Sequence, residues 1–278
     1  MANIFITGGT GFIGKNILKQ LSPENHSLMV LVRSRTRFDQ IIKQMGLENV
    51  QTLTAVLGDL TETSLGLNHS DLERVLTADI IIHAGGPMDI LLKEDQARQV
   101  FLQASDQILS LANHIHEKKG LKHFVHIVGY NSPFNEENMN SPERITALLD
   151  PIPPYERMKF LSDLRIRQGA KRSGFPLSVI NPSVVIGDSN TGNTEQTGGL
   201  GILIDSTRRN LMRIVPGGKK YWLPLVHVDH VAAFVSALTK EENPKSQTYF
   251  LLDEQHQSPN MHELITTISK ELRVKKPT

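Results

Sequence analysis

Tyr155 and Lys159 stand four residues apart in Tyr155-Glu156-Arg157-Met158-Lys159, which on a helix sets them one turn apart on the same face. A free tyrosine has a pKa of about 10, too high for acid–base work at neutral pH. An ammonium one turn away favours the phenolate and lowers that pKa. A tyrosine so placed can give its proton to a carbonyl oxygen while hydride arrives at the carbonyl carbon. Such a pair needs a hydride source and elements that bring the two together.

The source is written near the N-terminus. Thr7-Gly8-Gly9-Thr10-Gly11-Phe12-Ile13-Gly14 follows the apolar run Ile4-Phe5-Ile6 and leads into Lys15 to Leu21, whose apolar residues recur at helical spacing. Strand, glycine turn and helix N-terminus in that order make an anion site, where free backbone N–H groups meet the positive end of the helix dipole. A dinucleotide pyrophosphate is the expected guest, held by Gly8, Thr10, Gly11, Phe12, Ile13 and Gly14. Gly8 takes angles that a Cβ forbids, Gly11 admits the phosphates to the main chain, and Gly14 lets the helix lie close to the sheet. The spacing is GxxGxxG, not GxGxxG.

A second buried strand, Ser27 to Val32, stops at Arg33-Ser34-Arg35. An acidic residue there would bind the ribose 2′-hydroxyl of NAD, whereas arginine welcomes a phosphate, so Arg33, Ser34 and Arg35 predict NADP(H) over NAD(H). A helix over 38–45 and a third strand over 50–57 follow, the latter ending in Gly58-Asp59-Leu60. Asp59 is expected at the adenine edge and Leu60 on the ring. The strand 79–82 stops at His83-Ala84-Gly85-Gly86, small residues that leave room for the cofactor. His83 reads as a structural histidine.

A long helix over 94–118 leads through Gly120 to a fifth strand at 124–128. The proline-rich stretch 129–154 reads as an active-site loop region, helix 155–172 carries the Tyr–Lys pair, and a sixth strand at 177–180 ends at Asn181-Pro182. Beyond it, 187–192 and Gly198-Gly199 read as loops and 200–210 as a helix. A strand over 221–228 runs into a helix begun by Asp229, and strand 248–252 and helix 260–272 follow. The pattern predicts an α/β fold, a doubly wound parallel sheet (Rossmann) over 1–182. A smaller substrate-binding lobe over 183–278, interleaved with it, would cover the cofactor.

Composition narrows the classes. The net charge of +1 offers no reason to expect nucleic acid or an anionic membrane as partner. Without cysteine there is no thiol catalysis, disulfide or thiolate metal site. No apolar run approaches the roughly 20 residues of a membrane span, and the N-terminus lacks a signal layout, so a cytoplasmic protein is expected. The pairs His114/His116, His123/His126 and His227/His230 lack a carboxylate to complete a ligand set, so no metal site is expected. Gly217-Gly218-Lys219-Lys220 lacks phosphate-loop spacing, and there is no GxSxG.

Taken together, TGGTGFIG at 7–14, GDL at 58–60, HAGG at 83–86, the YxxxK, NPSVV at 181–185 and VHVDHVA at 226–232 resemble an extended short-chain dehydrogenase/reductase across nearly the whole chain. LGL at 65–67 and VIGDSNTG at 185–192 resemble the branch that includes thioester-reductase domains and fatty acyl-CoA reductases. The resemblance implies NADP(H) and an aldehyde or acyl-thioester substrate. It also implies that Lys159 binds the nicotinamide ribose, that Pro182 and Ser183 lie along the nicotinamide, and that a homodimer forms through two long helices.

Two positions depart from the family. Its Ser or Thr past the fifth strand is Gly129 here, with Ser132 and Tyr130 as nearby substitutes. Its NxxGT in the long helix becomes Phe101 with Ala104 and Ser105. Losing one oxyanion-type donor lowers a rate by about 10²- to 10³-fold. No carrier or adenylating domain accompanies the chain, so a small soluble carbonyl compound is expected over a long acyl chain. Three functions follow, namely an NADP(H)-dependent carbonyl reductase or dehydrogenase, a catalytically impaired NADP-binding sensor, and an NAD-dependent sugar-nucleotide epimerase or dehydratase, against which Arg33 and Arg35 count.

Overall fold

The computed structural model describes residues 1–86, 92–135, 137–196, 198–212, 214–215, 217–254, 256 and 258–277. In chain order its strands are β1 Asn3–Thr7, β2 Ser27–Val32, β3 Leu53–Leu57, β4 Ile80–His83, β5 His123–Ile127, β6 Leu177–Pro182, β7 Val184–Ile186, β8 Leu225–His227 and β9 Gln247–Leu251. The helices are α1 Phe12–Leu21, α2 Arg35–Gln44, α3 His69–Val75, α4 Glu94–Ala97, α5 Ala104–Lys119, α6 Pro142–Leu149, α7 Pro154–Ser173, α8 Gly198–Arg208, α9 Val228–Thr239 and α10 Met261–Leu272. The chain divides into two compact units, Met1–Asn181 with Ala232–Tyr249, and Pro182–Val231 with Phe250–Thr278.

The larger unit is built on a sheet of order β3-β2-β1-β4-β5-β6-β9. The pairings from β3 through to β6 are parallel. The order reverses between β1 and β4, the switch point at which open α/β sheets bind ligands beyond the carboxyl ends of their strands. Ile4-Phe5-Ile6, Leu28 to Val32 and Ile80-Ile81-Ile82 are buried as continuous apolar runs, as strands covered on both faces must be. Phe5, Ile81, Phe124 and Val179 of the sheet pack with Ile108 of α5 and Ile166 of α7. Each such side chain contributes about 1.5–3 kcal/mol by leaving water.

Four readings of the sequence need correction. Helix α2 begins at Arg35, not at 38, because the Ser34 hydroxyl caps it by accepting from the Arg37 N–H. The long helix is not continuous: Arg98–Gln103 is a π-helical segment between α4 and α5. The stretch 129–154 is not all loop, since Ser141 caps α6 and Phe134, Met139 and Leu149 pack on Phe160 and Leu164 of α7. Gly198 and Gly199, expected in a loop, are the first residues of α8.

In the smaller unit, β7 and β8 pair in parallel, Val184 opposite Leu225 and Ile186 opposite His227. Asn260 caps α10 reciprocally with Glu263, satisfying two backbone N–H groups of that helix start.

Candidate active site

The glycine turn at the end of β1 is shaped by close approach. Gly8 has φ +72°, and a Cβ there would stand 2.4 Å from the Ala84 carbonyl oxygen beyond β4. A Cβ on Gly14 would stand within van der Waals overlap of the Gly8 carbonyl oxygen, so α1 packs on the turn only as glycine allows. Gly11 is the N-cap of α1 and contributes no side-chain cap, and the first turn, Phe12, Ile13 and Gly14 included, has no acidic residue. The first N–H groups of a helix have no intrahelical acceptor. An uncapped, glycine-walled helix start therefore fits a pyrophosphate. Thr10 is half-buried beside it.

Beyond β4, Ala84 and Gly85 are half-buried and Gly86 is exposed. A Cβ on Gly85 would meet Leu60 Cδ1 at 2.7 Å, so Leu60 lies against the β4 end. Asp59 Oδ1 accepts from the Thr61 N–H at 2.9 Å and hydroxyl at 2.8 Å, a local turn that fixes its carboxylate. At the end of β2, Arg33, Ser34 and Arg35 are exposed. Arg35 Nη2 donates to the Ala55 carbonyl of β3 at 3.0 Å, which ties that guanidinium to the neighbouring strand.

Pro154 opens α7 and delivers Tyr155 into a buried cluster with Ala97, Phe101, Leu102 and Met158. The Phe101 and Tyr155 rings meet edge to face, centroids 5.3 Å apart. Phe101 comes from the π segment, the kind of irregularity that gathers at functional sites. A Cβ on Gly86 would lie 3.4 Å from Phe101 Cε1, so the β4 end, Phe101 and Tyr155 form one chain of contacts.

Lys159 reaches the end of β5. A Cβ on Gly129 would stand 3.3 Å from its Nζ, and Gly129 has φ +150°. Glycine at 129 thus leaves room for the ammonium in a backbone conformation that disfavours Ser or Thr. The Gly129 N–H donates to Asn181 Oδ1 at 3.4 Å, joining the ends of β5 and β6. Burial pulls the Lys159 pKa below the ordinary lysine value, and Glu156 and Asp163 pull it back up.

The proposed substitutes for the missing hydroxyl are placed otherwise. Ser132 is buried and donates to Asp163 Oδ2 at 2.5 Å, and Tyr130 is exposed. Asp163 accepts from Arg167 Nε at 2.9 Å, and Arg167 Nη1 donates to Thr248 Oγ1 at 2.7 Å. Burial raises the Asp163 pKa, against the pull of Arg167 and Ser132. Tyr155, Lys159, Asp163 and Arg167 follow one another at four-residue steps, a polar stripe on one face of α7. In the sequence the YxxxK spacing singles out the first two, and the same four-residue step carried on reaches Asp163 and Arg167.

His83 is structural. Its Nδ1 lies 2.7 Å from the Thr7 hydroxyl, and its ring stacks on His126 at 5.2 Å and 14°. Burial lowers the His83 pKa to about 4 and takes that of His126 well below its usual value. His123 bridges Ser178 and the Leu238 carbonyl and is lowered to about 4, again chiefly by burial. Pro182 ends β6, and Ser183 follows it with its N–H bonded to the Leu251 carbonyl at 2.9 Å; both are buried. No described helix is long and apolar enough to cross a membrane.

L-2-aminoadipate reductase of Saccharomyces cerevisiae is 25% identical over 276 residues, covering 84% of this chain and 18% of its own. The PhqB reductase domain of Penicillium fellutanum superposes with a TM-score of 0.74 at 21% identity, over 100% of this chain and 73% of that one. Gre2 of Candida albicans in complex with NADPH gives 0.74 at 20% identity, over 100% and 86%. The chain spans no more than 28% of the length of the peptide synthetases it also matches. Residues 6–235 match the model of the NAD-binding family described as male sterility protein. The chain belongs to that family, a thioester-reductase-like branch of the extended short-chain dehydrogenases/reductases.

Proposed function

We propose that the chain is an NADP(H)-dependent oxidoreductase that reduces an aldehyde or ketone, or oxidises the corresponding alcohol. The observation that carries this reading is the placement of Lys159, with its ammonium against Gly129 at the end of β5 and one helical turn from Tyr155. The dinucleotide, when bound, supplies the hydride. The Tyr155 hydroxyl gives its proton to the carbonyl oxygen, and Lys159 stabilises the phenolate left behind. Family membership supports a nicotinamide cofactor. Exposed Arg33 supports a contact to the 2′-phosphate, while Arg35 is held by Ala55.

Calorimetric titration with NADPH and NADH, wild type beside Arg33→Ala, tests the cofactor. Preference for NADPH that falls in the variant supports the proposal; no binding of either cofactor ends it. A panel of small aldehydes and ketones then tests the chemistry, with Tyr155→Phe expected to lose roughly 10²- to 10⁴-fold in rate.

The loop after β5 favours a second reading, a cofactor-binding regulatory protein without turnover. Gly129 offers no hydroxyl, Ser132 is committed to Asp163 and Tyr130 faces solvent. Tight NADPH binding with no turnover of the carbonyl panel supports this reading over the first.

A further inference from the structure

In the smaller unit, far along the chain from the glycine turn, His227, His230 and Asp253 each turn a ligand atom toward the others, all within 4.8 Å. His227 is the last residue of β8, His230 lies in the first turn of α9, and Asp253 follows β9. The Asp253 N–H donates to the Leu225 carbonyl at 2.7 Å, which fixes the carboxylate beside β8. Asp253 Oδ2 lies 3.3 Å from His227 Nδ1, and Oδ1 lies 3.8 Å from His230 Nδ1. His227 Nδ1 is buried without a hydrogen-bond partner among the described residues.

We propose that His227, His230 and Asp253 form a site for a zinc-class divalent cation. Two imidazoles and one carboxylate are the ligand set of open zinc sites, and neighbouring ligands around tetrahedral zinc are about 3.3 Å apart, as His227 and Asp253 are here. His230, 57% exposed, is free to swing the remaining distance. Its other nitrogen, Nε2, is 3.9 Å from Asp229 Oδ2, and Asp229 is itself held by the Ser189 N–H at 2.9 Å and hydroxyl at 2.6 Å. That is the arrangement in which an outer carboxylate orients a ligand histidine. The positive end of α9 opposes a cation, and the two carboxylates outweigh it. A bound ion ties the 182–231 and 250–278 segments of this unit together and leaves one coordination position open.

The test uses the untagged full chain, stripped with a chelator and titrated calorimetrically with Zn²⁺. The expected result is one ion per chain, a rise in Tm on loading, and visible absorption of tetrahedral intensity when Co²⁺ replaces Zn²⁺. Asp253→Asn and His230→Ala each abolish all three with unchanged circular dichroism, and Asp229→Asn weakens binding by roughly 10- to 100-fold. No uptake by the wild type, or uptake that persists in both ligand variants, overturns the proposal. Neither result depends on turnover or on cofactor binding.

Discussion

The Ser132 hydroxyl donates a hydrogen bond to Asp163 Oδ2 at 2.5 Å, and Asp163 is shared with Arg167 in the interior of the larger unit. Replacing Asp163 with Asn leaves the Arg167 guanidinium without its counter-charge. Urea denaturation is expected to show a loss of about 3–5 kcal/mol. Ser132→Ala leaves one carboxylate oxygen unsatisfied, a loss of about 1–3 kcal/mol. A Ser132→Ala chain as stable as wild type would mean that the hydroxyl is available for other work.

The two arginines after β2 are expected to behave differently. Arg33→Ala removes an exposed cation, and a lost charge-assisted hydrogen bond of about 1.5–3 kcal/mol is expected to weaken NADPH by roughly 10- to 100-fold. Arg35→Ala breaks the bond to Ala55 and is expected to show chiefly as lowered stability. Calorimetry and thermal melting on the two variants separate these outcomes, and equal effects on NADPH would contradict the assignment.

Gly129→Ser supplies the hydroxyl that the sequence resemblance implies at this place, yet no gain in rate is expected. The new Cβ would stand 3.3 Å from Lys159 Nζ on a backbone at φ +150°. Strain of this kind costs about 1–3 kcal/mol. The prediction is a less stable protein with NADPH affinity retained and carbonyl turnover no higher; a rise in turnover would refute it.

Acid should destabilise the chain before its carboxylates matter. Burial holds His83 and His123 at about 4 in the folded chain and keeps His126 well below the ordinary 6.5. Between those values the unfolded chain binds protons that the native chain refuses, so stability is complete above about 6.5 and falls toward 4. Each histidine contributes a slope of about 1.4 kcal/mol per pH unit in that window. Asp163, raised by burial, has the opposite sign and offsets part of it. A urea midpoint that does not fall between pH 7 and 5 would refute the neutral, buried state of these rings.

Local demands were legible in the sequence and non-local ones were not. Gly8 and Gly14 announce themselves because a tight turn and a close helix need glycine at those positions whatever surrounds them. Tyr155 and Lys159 are one turn apart on any helix. Asp253 reaches His227 only because β9 and β8 end near one another, which no spacing reveals. The π segment escapes because it is only six residues long, too short for its wider turn to show in the apolar pattern of the helix around it. Ser132 looked available in the sequence, since its partner Asp163 lies 31 residues on.

Helix α1 starts on a glycine that supplies no cap. A Ser or Asn there would be worth about 1 kcal/mol, and the pyrophosphate proposed for this turn would take that role. Its melting temperature should therefore act as an occupancy gauge, climbing with any ligand that finishes the helix. Inorganic phosphate or sulfate in the buffer will stand in for that ligand, blunt the response and mask weak binders. Screens for what this chain accepts belong in chloride and an uncharged buffer.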